Sequence, residues 1–399
     1  MNPFKRKIAM RCLRVLLVCL FATAFPALAY EPATIAQLEQ MLAAAHGKSD
    51  KNLAKQLGEL ELTERLSTVR LEKLEASMSG VKSRQALLVL SDNSAFCNLP
   101  AAEIPQLAAP NRETQSKILT KTTDYIRDTL SRLPNFIVTR NTKRFENLKV
   151  DHMDGSAVVV EEQPYHFINI TKETVTYRNG AETVVASVKH PEHQRGLYNW
   201  GVFGPLLQIT VSDIFAGKMG WGHWEQGSKG TMAVFRYAVS QDISHYKVQY
   251  CCFSTTNSWH TFEALPSYHG EMAIDPDTGA ILRLTIQTDI PAGHPISRAD
   301  VLVEYGPVEI GGQQYICPTK SVSISRVTDI VTEFQPSCST AGFCAPAIIA
   351  HPKTTSINDA VYNSYHVFRA DVRILPAETS EVEEAPHQSE APAAPASKP

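Results

Sequence analysis

Gly270-Glu-Met-Ala-Ile-Asp-Pro-Asp-Thr-Gly-Ala-Ile-Leu-Arg-Leu-Thr-Ile-Gln-Thr-Asp289 holds two strand-like runs around a turn. Asp275-Pro-Asp-Thr-Gly279 supplies what a tight reversal needs: a preset proline φ, aspartates that bond the backbone, and a glycine. The flanks favour apolar residues at every second position, the period of a strand with one face in a core. The pattern recurs on both sides. Met219–Glu225, Thr231–Val239 and His245–Phe253 precede it, and Ala299–Ile310 and Gln313–Val327 follow around Gly311-Gly312. Earlier, Tyr165–Tyr177 and Glu182–Val188 flank Asn179-Gly180, the dipeptide of a two-residue hairpin turn. Phe136–Phe145 reads as a further strand, Glu333–Ile357 as a Pro-, Ser- and Cys-bearing connection, and Tyr362–Ile374 as the last strand. A sheet of roughly ten or more strands must curl or close to manage its edges.

Residues 33 to 133 carry the helical period instead. Ile35, Leu38, Met41, Leu42 and Ala45 share one face, Gly47 ends that helix, and Ser49 can cap the next. Leu62, Leu66 and Val69 mark a third stripe, and Ser83–Phe96 contains an apolar run, Ala86 to Leu90. Asn111 caps a long helix bearing Ile118, Leu119, Thr122, Tyr125, Ile126 and Leu133, which Pro134 stops. Gly204–Phe215 reads as one more helix. The predicted fold class is α+β: an N-terminal helical segment, then a large curled antiparallel sheet, half-barrel-like, with a covering helix. The expected domains are a signal peptide (1–29), a loosely attached helical segment (30–110), the curled β domain with packing helices (111–375) and a disordered Pro/Ala/Glu tail (376–399).

The chain has 399 residues, 43% apolar and 20% charged, a globular mixture. Lys5, Arg6, Lys7, Arg11 and Arg14 precede an apolar stretch, Val15 to Phe25, and Ala27-Leu28-Ala29 gives the small-x-small pattern of signal cleavage. Removal takes five of the 38 basic residues and no acidic one, leaving 33 against 41 and a net charge of −8. That balance repels phosphate backbones and anionic lipid heads, so nucleic acid is not an expected partner. No transmembrane span is expected after the signal is removed. Six cysteines remain: Cys97, Cys251, Cys252, Cys317, Cys338 and Cys344. An even number in an exported chain reads as disulfides. Cys338 and Cys344 close a short loop through Gly342. Cys251 and Cys317 both fall on the polar parity of their strands and form the expected second bridge. Cys252 is then a buried thiol or a partner of Cys97.

Three segments carry a resemblance: Gly201-Val-Phe-Gly-Pro-Leu-Leu207, Tyr268-His-Gly-Glu-Met-Ala-Ile-Asp-Pro-Asp-Thr-Gly279 and Val303-Glu-Tyr-Gly-Pro-Val-Glu-Ile-Gly-Gly-Gln-Gln-Tyr-Ile-Cys-Pro318. They resemble an uncharacterised family of secreted bacterial proteins, which implies export and no particular activity. Strand count and order over residues 135 to 375 also resemble the periplasmic lipoprotein-carrier (LolA-like) fold. There a curved half-barrel capped by helices holds acyl chains. That resemblance implies a concave apolar cavity and an acyl ligand.

All four tryptophans, Trp200, Trp221, Trp224 and Trp259, lie close together in the sequence. Strand alternation sets Trp221 and His223 on one face and Trp224 on the other. With Tyr250 they either line an apolar ligand site or fill the core beneath the Gly204–Phe215 helix. His269 and Glu271 share a strand face, as an acid–base pair would, without a placeable nucleophile. No nucleophile elbow, phosphate loop, dinucleotide fingerprint or metal motif occurs, so no cofactor or metal is expected. The leading functional expectation is an exported, periplasmic or extracellular, non-enzymatic carrier of a lipid or acyl chain. An envelope protein-protein interaction module is the alternative, and a hydrolase using His269 and Glu271 is third. The mature protein should begin at Tyr30, read by intact mass of the exported chain; a species retaining Met1 would refute cleavage.

Overall fold

Local signals set the first layer. The computed structural model describes residues 30–45, 47–154, 157–185, 196–197, 203, 205–228, 230–255, 258–328, 331–333 and 348–368. The signal-peptide and tail readings, Trp200, Cys338 and Cys344 lie outside these residues, as do the side chains of Cys252 and Trp259. The N-terminal helices are α1 (Ile35–Ala44), α2 (Asp50–Gly58), α3 (Thr68–Ala76) and α4 (Val81–Asn93), followed by the long α5 (Arg112–Arg132). Thr34 and Gln37 form a capping box at α1, and Ser49 and Asn111 accept from Asn52 N and Thr114 N. Each side chain satisfies a backbone donor that the first turn leaves unpaired. Short strands β1 (Glu31–Ala33) and β2 (Leu60–Leu62) pair in parallel and hold this layer together.

The strands follow as β3 (Phe136–Asp154), β4 (Ala157–Glu162), β5 (His166–Arg178), β6 (Ala181–Val185) and β7 (Gly196–Leu197). Helix α6 (Pro205–Ala216) leads into β8 (Lys218–Gly227), β9 (Gly230–Val239), β10 (Val248–Thr255), β11 (Ser258–Ala264), β12 (Ser267–Ile274) and β13 (Ile281–Asp289). The last are β14 (Ile296–Ile310), β15 (Gln313–Thr328), β16 (Val331–Glu333) and β17 (Ile348–Val367). The main sheet runs β6-β5-β3-β17-β15-β14-β13-β12-β9-β8, with β4 beside β3 and β16 beside β17. Every neighbouring pair in it is antiparallel. It curls without closing, and β11-β10-β7 form a separate small sheet. The hairpins turn where expected: Asn179 and Gly180 have φ of 52° and 79°, and Gly311 and Gly312 have 64° and 83°. Asp275 Oδ1 accepts from Asp277 N at 2.9 Å, so this aspartate shapes the turn.

The C-terminal strand departs from expectation. Instead of Tyr362–Ile374, β17 begins at Ile348 within the predicted connection and pairs with both β15 and β3. Its Thr- and Ser-rich half reads as loop by composition, but two full neighbours pair its backbone. Strand β11 was likewise not foreseen.

Both faces of the main sheet carry an apolar layer. On one, α5 and α6 with Tyr250 and Phe262 of the small sheet pack on Phe136, Phe235, Tyr268, Met272 and Leu284. On the other, Ile35, Leu38, Leu57, Leu71 and Leu87 pack on Phe145, Leu302, Val322, Ile324 and Ile357. The helical segment packs on the sheet, and the described residues fall in one compact unit. Strand β14 sends Leu302 to one layer and Val301 and Val303 to the other, which explains its continuous apolar run.

Two-sided burial also undoes the expected cysteine bridge. Cys317 is a free thiol, 2% exposed, whose pKa burial pushes up to about 12. Polar parity does not mark a wet face on β15, because Ser321, Ser323 and Ser325 are buried as well. Cys97 is also free, so Cys251, which is disulfide-bonded, pairs with neither.

Helix α4 brings one charged group into this contact. Asp92, 1% exposed, receives Lys320 Nζ of β15 at 2.9 Å, and Asp359 of β17 lies 3.4 Å from the same ammonium. Burial, opposed by Lys320 and aided by Asp359, raises the Asp92 pKa to about 7. A raised carboxyl pKa means the folded state holds the proton more tightly than the unfolded chain. This contribution to stability is therefore greatest at low pH and is lost as pH rises toward 7. Between pH 5 and pH 8 the wild type should lose on the order of 2 kcal/mol more in urea unfolding than Asp92→Asn. Parallel pH profiles would overturn the assignment.

Candidate functional site

Alternation along the strands decides what faces the helical segment. On β12 the apolar layer takes Tyr268 and Met272, which turns His269 and Glu271 the other way. Arg236 of β9 lies opposite Glu271, and Gln287 of β13 lies opposite His269. The chain leaving α4 passes over them with Ala95, Phe96, Cys97 and Asn98, and Arg65 closes the floor. The result is a cleft of about 410 Å³.

Its floor is open sheet backbone. A Cβ at Gly270 would lie 2.0 Å from the Thr285 carbonyl oxygen, so only glycine permits the approach. Glu271 N donates to Thr285 Oγ1 at 2.8 Å, while Tyr237 OH donates to the Thr285 carbonyl from the apolar side. The wall is ionic. Arg65 Nη2 lies 2.7 Å from Glu225 Oε2, and Arg283 makes a two-point contact with the same carboxylate. Arg65, Glu225 and Arg283 are all at least nine-tenths buried. Burial opposes the Glu225 charge, but Arg283, His223 and Arg65 outweigh it and hold the carboxyl far below its usual range. Glu271 is engaged by Arg236 at 3.2 Å and Arg283 at 3.7 Å. His269 Nδ1 lies 3.3 Å from Asp289.

The hydroxyl and thiol groups nearest the cleft are constrained. Both hydroxyl and thiol candidates are tied down: Thr285 Oγ1 is bonded to the Glu271 backbone, and burial raises the Cys97 pKa. Glu271 is engaged by two guanidiniums. No group of three metal-ligating side chains occurs among the described residues.

The aromatic expectations resolve differently. Tyr250 is fully buried in the apolar layer. A register shift between Trp221 and His223 breaks the expected alternation, so Trp221 and Trp224 pack edge to face at 4.9 Å. Trp224 Nε1 donates to Ala108 O at 2.9 Å, and neither ring lines the cleft. Where an apolar hollow was expected, the described residues of α5, α6 and the sheet line a slot of about 20 Å³. Phe203, Leu207, Ile126 and Tyr305 fill its surroundings. Sequence reading placed His269 and Glu271 on one face but missed Arg65, Asn98, Arg236 and Gln287. Buried Asp213 was missed too: it accepts from His245 N at 2.7 Å and from Tyr268 OH at 3.0 Å, and meets His245 Nδ1 at 2.7 Å. Among the described residues nothing bonds His245 Nε2, so the pair joins α6 to the approach to β10.

No family model and no curated protein matches the chain. Among solved structures it is similar to MucB in complex with MucA(peri), at 11% identity over 64% of this chain and 99% of that chain, with TM-score 0.18. A ywiB protein from Bacillus subtilis has 6% identity, coverage of 56% and 94%, and TM-score 0.09. The P. putida toluene transporter TodX has 6% identity, coverage of 61% and 92%, and TM-score 0.16. Likeness at this level assigns neither fold nor function, and the LolA-like resemblance gains no argument from it. Among the described residues no helix is long and apolar enough to cross a membrane.

Glu225→Gln leaves buried Arg65 without its ion-pair partner and Arg283 with only Glu271, 3.7 Å away. It should cost about 3–5 kcal/mol in urea unfolding, since an unpaired buried charge is the expensive state. A loss below about 1 kcal/mol would remove Glu225 as the joint between segment and sheet.

Proposed function

We propose that this chain is an exported, non-enzymatic binding protein whose ligand sits in the cleft between the helical segment and β9, β12 and β13. The observation that carries this reading is the contrast in room. The polar cleft offers about 410 Å³, the scale of small-molecule sites, against about 20 Å³ in the apolar slot. A slot of that size holds roughly one water-sized group and no acyl chain. Export rests on the basic, then apolar N-terminus ending in Ala27-Leu28-Ala29. The lipid-carrier expectation gives way to a polar ligand in this reading.

One observation favours a second reading, an envelope interaction module. Strand β6 pairs with residues 174 to 178 of β5, and the stretch His166 to Thr171 presents an open edge among the described residues. Phe167 and Ile170 are exposed there, at 44% and 60%. Such an edge accepts an extended chain by strand addition.

Native mass spectrometry of protein taken from its own cell envelope separates the two. A co-purified small mass should be present in the wild type and absent from Gln287→Trp, whose indole obstructs the cleft. If no such mass is found, or if it survives Gln287→Trp, the cleft reading fails. A protein partner kept by Gln287→Trp and lost by Ile170→Lys would establish the second reading.

A further inference from the structure

Taking the cleft as the binding site, we propose that its ligand is a small organic carboxylate, received by Arg236, Asn98 and Gln287 above the buried Arg65. The walls offer donors whose acceptors are missing, while the Glu271 carboxylate and the Asn98 amide oxygen are already engaged; the Gln287 amide oxygen is the free acceptor among these side chains. Arg236 spends Nε on Glu271 and Nη2 on Asn98 Oδ1, each at 3.2 Å, and no described residue accepts from its Nη1. Because Asn98 Oδ1 faces a guanidinium, its amide nitrogen is left to donate. Gln287 has no described hydrogen-bond partner and lines the same space. Behind them Arg65, 6% exposed, has an Nε with no partner, as does Arg283. Against this stand carboxylates that are taken: Glu271 by two guanidiniums, and Asp289 by His269. A ligand entering here meets N–H groups and must bring oxygens.

Charge narrows the class. The lining carries Arg65 and Arg236 against Glu271, one positive charge in excess. One free guanidinium edge and two amides fit the two oxygens of a carboxylate. A phosphate dianion would need a second uncommitted guanidinium, and Arg65 and Arg283 are committed to Glu225. The rest of the cleft takes an apolar body: the Phe96 ring forms one wall, with the Arg298 guanidinium over that ring at 5.6 Å.

Calorimetric titration of the full mature chain with benzoate and butyrate, their primary amides and inorganic phosphate tests this. The acids should bind at least tenfold more tightly than the amides, and added salt should weaken them. Arg236→Gln should cut acid affinity about ten- to a hundredfold, the scale of a charged hydrogen bond. Arg236→Lys should recover part of it, and Gln287→Trp should abolish it. The Arg236 side chain is more than half exposed, so the Arg236 variants should keep the fold, with urea midpoints as the control for these and for Gln287→Trp. Equal binding of acids and amides, both lost in Gln287→Trp, would overturn the carboxylate assignment and leave the cleft reading standing. Acid binding that survives Gln287→Trp would overturn both. Tighter binding of phosphate, or no binding by either acid, would overturn the inference.

Discussion

Glu225 is the point at which the two halves of this protein are locked together. It sits on β8, fully inside, and takes Arg65 from the helical segment and Arg283 from β13. Apolar packing of the helices on the sheet is non-directional and would tolerate sliding. A carboxylate shared by two buried guanidiniums does not, because any shift leaves a charge without its partner. The ion cluster therefore specifies position more than it adds net stability. Lys320 with Asp92 and Asp359 repeats the device further along the contact. The cleft exists because the helical layer is pinned at these places while the chain between α4 and the sheet stands clear of His269 and Gln287.

The same two-layer arrangement explains why the described side chains between α5, α6 and the sheet leave only a narrow slot. An open sheet of this width exposes apolar side chains on both faces and must cover each of them. Helices α5 and α6 and the small sheet cover one face, and α1 to α4 cover the other. The covering side chains interdigitate, so the space that remains is polar and lies at the rim of a layer.

Much of the fold was legible in the chain. Five helices before the sheet, the α6 helix and most strands follow from apolar spacing, caps and glycine turns. Part of the cleft was legible as well, since parity alone sets His269 and Glu271 on one face. Parity failed wherever a local irregularity intervened. The register shift after Trp221 brought Trp224 to its side, and two-sided burial removed the polar-face argument for Cys317. Strand β17 hid in a Ser- and Thr-rich stretch because its neighbours, not its composition, pair it.

By itself the sequence determined periodicity, turns, caps and a basic, then apolar N-terminus, because each depends on residues within a few positions of one another. Only the tertiary structure decided which charges meet. Arg65 and Glu225 are 160 residues apart, and Arg236 and Asn98 are 138 apart. Contacts of that range are set by how layers dock, and no local spacing encodes them. The location and polarity of the cleft, and the filling of the apolar interior, follow from that docking.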